Sequence, residues 1–158
     1  MAMEIERKFL VSGDSWRSGC PEKLELRQGY IAESDKCTVR VRVSGTDGWI
    51  TVKGPTRNIS RSEFEYRIPR EDAEIMLRDF ADGRIVEKTR YFIDYKGGDW
   101  VVDEFSGRNC GLALAEIELN SEDAFFEKPD WLGEEVSGDY RYRNSYLSQN
   151  PYSEWKEK

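Results

Sequence analysis

TVRVRVSGTDGWITVK, residues 38–53, alternates with a period of two on both sides of a glycine-flanked break. Val39, Val41 and Val43 fall on one side of the first segment and Arg40 and Arg42 on the other. Beyond Gly45-Thr46-Asp47-Gly48, Ile50 and Val52 oppose Thr51 and Lys53. Successive side chains of a strand point to opposite faces, so the stretch reads as a tight hairpin with one apolar and one cationic face. Working outward, the same period predicts strands over 3–10, 24–32, 37–44, 48–54, 61–68, 85–96, 99–105 and 112–119. Gly97-Gly98 marks a second tight turn. Between 68 and 85 the period changes: Pro69 ends a strand, Ala73, Met76, Leu77 and Phe80 recur at helical spacing, and Gly83 is a stop signal. Ser121 is expected to cap a helix starting near Glu122, with Phe125 and Phe126 on its apolar side. A last short helix is expected near 144–149, ahead of Pro151. The 158 residues suit a single domain over 1–158. The predicted class is α+β dominated by β, with strands joined mostly by hairpins.

The ionic positions are clustered by strand. Glu4, Glu6 and Lys8 share a face of the first strand, and Glu116 and Glu118 share one of the last. Arg61, Glu63, Glu65 and Arg67 alternate with Phe64, Tyr66 and Ile68, while Lys88, Arg90 and Asp94 share a face with Phe92. Asp103 falls with Val101. Two readings stand at this point. An antiparallel sheet commonly keeps one wet face, on which such charges mean nothing. Alternatively the strands, eight in number, close into a barrel whose ionic faces look inward. The segregation of cations from anions favours the second, because a solvated face more often mixes signs. A lumen with cations on some walls and carboxylates on others suits a polyanion bridged to protein by a divalent metal.

Composition narrows the chemistry. The chain has no histidine, which removes Ser-His-Asp and Cys-His mechanisms and the commonest transition-metal ligand. Any metal must then be held by carboxylates. Net charge is −7, unlike a general nucleic-acid or anionic-membrane binder. Cys20, Cys37 and Cys110 are spaced for no zinc motif, and their odd number argues for free thiols in a reducing compartment. No apolar run approaches a membrane span, and the chain enters Glu4 and Glu6 at once, so the expectation is a cytoplasmic protein without a signal peptide.

Glu4-Ile5-Glu6-Arg7-Lys8 resembles the Glu-x-Glu-x-Lys signature of the CYTH superfamily, the triphosphate tunnel metalloenzymes. Its company runs in the family's order. Thr38 to Val43 resembles the Arg-x-Arg strand, Ile50 to Pro55 the Lys-Gly strand end, and Arg61 to Glu65 the paired-Glu strand. Lys88-Thr89-Arg90, Val102 to Phe105 and Gly111 to Leu119 complete it. The resemblance implies a closed eight-stranded antiparallel β-barrel, or tunnel, with a few flanking helices. It implies Mg²⁺ or Mn²⁺ on Glu4, Glu6 and Glu118, assisted by Glu116 and Asp103. It implies phosphate contacts from Lys8, Arg40, Arg42, Lys53, Lys88 and Arg90, and a water-activating pair in Lys8 and Tyr30. Arg61 and Glu63 are read as bridges between walls, Arg67 as outside the site, and Arg7 as a surface cation. The implied activity is hydrolysis of the terminal phosphate of a linear triphosphate, inorganic tripolyphosphate first. Thiamine or nucleoside triphosphates, a class IV-like adenylate cyclase and a non-catalytic polyphosphate-binding module are the alternatives. The implied partner is a small triphosphate, with no nucleic acid and no membrane. Oligomeric state is left open, a homodimer included.

Overall fold

The computed structural model describes residues 3–19 and 21–156, which leaves Cys20 outside the described residues. Nine strands and two helices follow in order: β1 (Met3–Val11), β2 (Glu22–Glu33), β3 (Thr38–Ser44), β4 (Asp47–Lys53), β5 (Ser60–Ile68), α1 (Arg70–Phe80), β6 (Ile85–Tyr95), β7 (Gly98–Phe105), β8 (Ala113–Glu118), β9 (Leu132–Glu135) and α2 (Asn144–Gln149). Eight of the strands pair in the order β1-β5-β4-β3-β2-β6-β7-β8 and return to β1, so the sheet closes into an antiparallel barrel. Closure leaves no free edge around the wall. The β3–β4 connection is a two-residue turn with Gly45 at φ 58, a value that favours glycine at the first central position of a primed turn.

β1 is the seam. One of its edges pairs with β8 through residues Glu6–Leu10. The other is shared: Met3, Glu4 and Ile5 pair with β5, while Phe9 and Val11 pair with β9. The short β9 carries only one strongly apolar residue, so period-two reading did not find it.

The barrel is apolar outside. Phe9, Trp100, Val102, Ala115 and Ile117 form one outer cluster, covered by Trp16 and Trp131. On the other flank α1 lays Ala73 and Leu77 on Val41 and Val43. It passes so close over β2 that a Cβ on Gly29 would stand 2.8 Å from Leu77 Cδ2 and 2.9 Å from Ala81 Cβ. Gly29→Ala is therefore expected to cost about 1–3 kcal/mol, as overpacking usually does. Urea unfolding checks this: a change below about 0.5 kcal/mol would show that α1 lifts freely off β2.

One end of the interior is filled. Leu114, Val86 and Phe105 share the lumen parity of Glu116, Lys88 and Asp103, and they pack with Val136, Tyr142 and Leu147 from the C-terminal segment. The barrel is thus a tunnel with a floor.

The helix expected near Glu122 is absent. Ser121 Oγ donates to Asp123 Oδ1 instead of accepting from a helix N–H, and only a turn forms, with Ala124 N–H donating to the Ser121 carbonyl. Phe126 packs edge-on against Trp100 and Phe9 while Phe125 stays exposed, an opposition that suits extended chain. Pro129 then disfavours helical backbone at Lys128. The short helix near 144–149 is present as α2. Arg7 departs from the surface-cation expectation: half-buried, it pairs with Glu135 at 2.9 Å and donates to the Glu122 carbonyl, latching β9 and the 120–131 segment to β1.

Candidate active site

The lumen holds a cavity of about 910 Å³. Glu4, Glu6, Lys8, Tyr30, Arg40, Arg42, Lys53, Lys88, Arg90, Glu116 and Glu118 all line it. The ionic faces look inward because the opposite faces carry the valines and aromatics that the outer coats bury.

The carboxylates gather on β1 and β8, where Glu6 pairs in register with Glu118 and Lys8 with Glu116. Burial, then the charges of Glu116 and Glu4, push the Glu6 carboxyl up to about 7. Burial and then Glu4 also raise Glu118, which sits exposed at the mouth. Glu4 behaves oppositely. Burial works to raise it, but a hydrogen bond with Glu63 and the charges of Lys53 and Arg61 hold it well below the usual carboxylate range. Lys53 Nζ lies 3.0 and 3.3 Å from the two Glu4 oxygens and 3.1 Å from Glu63, and Arg61 Nε lies 3.3 Å from Glu4. Burial and the bond to Glu4 raise Glu63 to about 7.

The cations gather deeper. Asp103 is fully buried and accepts from Lys88 at 2.7 Å and from Arg90 at 2.8 and 2.9 Å. Burial pushes the Lys88 amine down to about 7, with Asp103 working against it. Arg42 is lowered to about 9 by burial and then by Arg40 and Arg90. Its Nε donates to Gln28 Oε1 at 3.0 Å. Arg40 pairs with Glu65 at 3.2 Å, yet its buried Nε has no hydrogen-bond partner. Crowded guanidiniums and an orphan buried donor suit an anion.

Asp103 and the Lys8–Tyr30 pair have well-defined surroundings in this geometry. Asp103 does not line the cavity, and both its oxygens are spent on Lys88 and Arg90. Lys8 and Tyr30 bond to other groups: Lys8 Nζ donates to the Tyr142 carbonyl at 3.1 Å and lies 3.6 Å from Glu116, while Tyr30 accepts from Gln28 Nε2 at 3.1 Å. The C-terminal segment adds residues that strand periodicity could not find. Asp139, Arg143 and Asn144 reach the cavity, and Asn144 Oδ1 accepts from Lys88 at 2.8 Å and from Gln28 at 3.3 Å. Arg67 stays outside the lining and pairs with Asp47.

The donor set fits a hard divalent cation. It is all carboxylate, and Glu6 sits where two other carboxylates repel it, a charge that a cation would relieve. Among the described residues no three carboxylates stand close enough to hold an ion as placed.

Residues 2–148 match the family model described as the CYTH domain. The inorganic triphosphatase of Acetivibrio thermocellus is 50% identical over 157 residues, 99% of this chain and 100% of that protein. The inorganic triphosphatase of Nitrosomonas europaea is 41% identical over 149 residues, 92% of this chain and 96% of that protein. A crystal structure of an inorganic triphosphatase superposes with a TM-score of 0.68 at 40% identity, over 92% of this chain and 97% of that one.

Proposed function

Because the chain belongs to the CYTH family, we propose that it is an inorganic triphosphatase that hydrolyses the terminal phosphate of tripolyphosphate within the tunnel. The observation that carries this is the anion-seeking wall: Arg40 with its unpartnered Nε and Arg42 on β3, continued beyond β2 by Lys88 and Arg90 of β6, in a cavity that the carboxylates of β1 and β8 also line.

Arg and Lys at successive positions bind successive phosphates, Arg through two parallel donors and Lys as a point charge. Phosphoryl transfer asks little covalent chemistry of a protein, so positioning and charge stabilisation carry the rate. Arg40, Arg42 and Arg90 neutralise the transferring group and the departing pyrophosphate oxygen. Lys8 and Tyr30 orient the attacking water against the terminal phosphorus. Lys8 is held for this by the Tyr142 carbonyl and Glu116. Asp103 contributes from beneath, fixing the direction of Lys88 and Arg90. Glu4, Glu6 and Glu118 would hold Mg²⁺ or Mn²⁺, with Glu116 assisting; such an ion supplies charge neutralisation and a more acidic water. The reading places the enzyme in the cytoplasm, where Cys37 and Cys110 remain the free thiols they are in the structure.

A phosphate-release screen of tripolyphosphate, ATP, pyrophosphate and thiamine triphosphate, with Mg²⁺ and Mn²⁺ in turn, tests the proposal. Tripolyphosphate is expected to turn over fastest. Cyclic AMP from ATP, or binding without turnover, would overturn the reading.

A pH dependence follows. A proton on Glu6 competes with a divalent ion, and its folded value near 7 lies above the ordinary 4.5. The native state therefore binds more protons than the unfolded chain between those values. This group's share of stability is full below about 4.5 and is lost as pH rises through about 7. Cation affinity moves the other way, rising up to about pH 7 and levelling above. Mn²⁺ binding in the presence of tripolyphosphate is expected to be about tenfold weaker at pH 6 than at pH 8, with proton release only at the lower pH. Calorimetry in two buffers of different ionisation enthalpy reads both; a flat profile would remove Glu6 from the cation set.

A further inference from the structure

Lys53 holds an unusual position among the lumen cations. It ends β4, in register with Glu63 of β5 and Thr38 of β3, and reaches across the seam to Glu4 of β1. Its ammonium touches both oxygens of Glu4 and one of Glu63, and Arg61 takes a further contact on Glu4. Both Lys53 and Glu4 are nearly buried, with side-chain exposures of 11% and 10%, so water screens the pair little. Both oxygens a divalent ion would use on Glu4 are thus already in contact with a cation of this chain. An ion approaching alone must displace an ammonium, leaving it only Glu63 at 3.1 Å, and a guanidinium, and must stand beside them afterwards. A triphosphate changes this balance. Its oxygens offer Lys53 and Arg61 a stronger anion, and both side chains line the same cavity that would receive it.

We propose that Lys53 is an exchangeable occupant of Glu4: it holds this carboxylate against a divalent cation until a triphosphate draws it away, so that cation and triphosphate load together. The inference rests on the triphosphatase reading and goes beyond it by setting an order. The free enzyme keeps Glu4 from free metal, and the phosphate chain opens the site. Coupling of this kind is reciprocal, so metal and triphosphate each raise the affinity for the other.

The test titrates Mn²⁺ into the full chain at pH 8 without any phosphate, read by electron paramagnetic resonance of the unbound ion. Lys53→Met keeps the length of the side chain and removes its charge, and Lys53→Arg keeps the charge. Mn²⁺ is expected to bind Lys53→Met about 5- to 150-fold more tightly than wild type, the usual range of such couplings, and Lys53→Arg like wild type. The double variant Glu4→Gln/Lys53→Met is expected to lose the gain, which locates the effect at Glu4. Circular dichroism confirms that each variant is folded, and Lys53→Gln replaces the methionine variant if that one is not. Equal or weaker Mn²⁺ binding by a folded, charge-neutral variant overturns the inference. If wild type releases orthophosphate from tripolyphosphate while that affinity is unchanged, only the exchange idea falls. If wild type releases none with either metal, the triphosphatase reading falls first.

Discussion

Replacing Glu6 with glutamine is expected to lower kcat for tripolyphosphate by about 100-fold or more while leaving the melting temperature unchanged or higher. Residues that merely support a metal ligand are typically worth 10–100-fold, so a carboxylate in direct contact is worth at least the top of that range. The stability expectation has the opposite sign for a physical reason. Glu6 is repelled by Glu116 and Glu4, and burial adds to the cost of its charge, which lifts its carboxyl to about 7. Glutamine keeps the shape and removes the repulsion. A side chain with only a structural role would lower both quantities together. Steady-state kinetics with saturating Mg²⁺ and a thermal melt at pH 8 read the two; wild-type kcat would take Glu6 out of the mechanism.

The second large effect belongs to Asp103. Asp103→Asn is expected to destabilise the protein by about 3–5 kcal/mol, because breaking a buried ion pair leaves the Arg90 guanidinium, which cannot shed its proton, without its closest partner. Lys88 has a side-chain exposure of 1% and Asp103 of 0%, so neither charge reaches solvent. At about 2–4 °C per kcal/mol for a domain of this size, the melting temperature should fall by about 6–20 °C. Asparagine cannot replace the second carboxylate oxygen, so Arg90 loses its fork as well. Tripolyphosphate with Mg²⁺ should restore part of the loss by mass action, since it supplies negative charge to the same cations. Scanning calorimetry with and without that pair decides. A loss below about 1 kcal/mol would mean that Lys88 gives up its proton and that water reaches Arg90 in solution.

Much of this architecture is legible along the chain because each strand of the wall answers to two neighbours at once. Val41 and Val43 must meet α1, while Arg40 and Arg42 must meet the lumen, so neither face drifts and the period stays clean. The segregation of sign by strand then distinguishes a lumen from a wetted face. Periodicity carries no depth. It places Asp103 on the right side of β7, but not at the level where Lys88 and Arg90 enclose it. It also carries no register between strands far apart in sequence. The meeting of Lys53 with Glu4 depends on how β5 reaches β1 at the seam, and nothing local to either residue encodes that. Segments without a repeating period are the least readable. The 120–131 stretch reads as a helix from Ser121 and two adjacent phenylalanines, but Ser121 spends its hydroxyl on Asp123 and Pro129 lies ahead. Asn144 and Tyr142 reach Lys88 and Lys8 from a short C-terminal segment that shows no alternation at all.

The hoop is fastened by very little backbone. Among the described residues Met3, Glu4 and Ile5 pair β1 with β5, Glu6 N–H adds a bond to the Ile59 carbonyl, and Glu4 is the residue on which Lys53 and Arg61 converge. A ligand bound there bridges both sides of the join and acts as a clasp. An empty barrel would then breathe along this line first, and amide deuteration would report it there before anywhere else in the wall. The cargo, in that sense, buckles the belt that carries it.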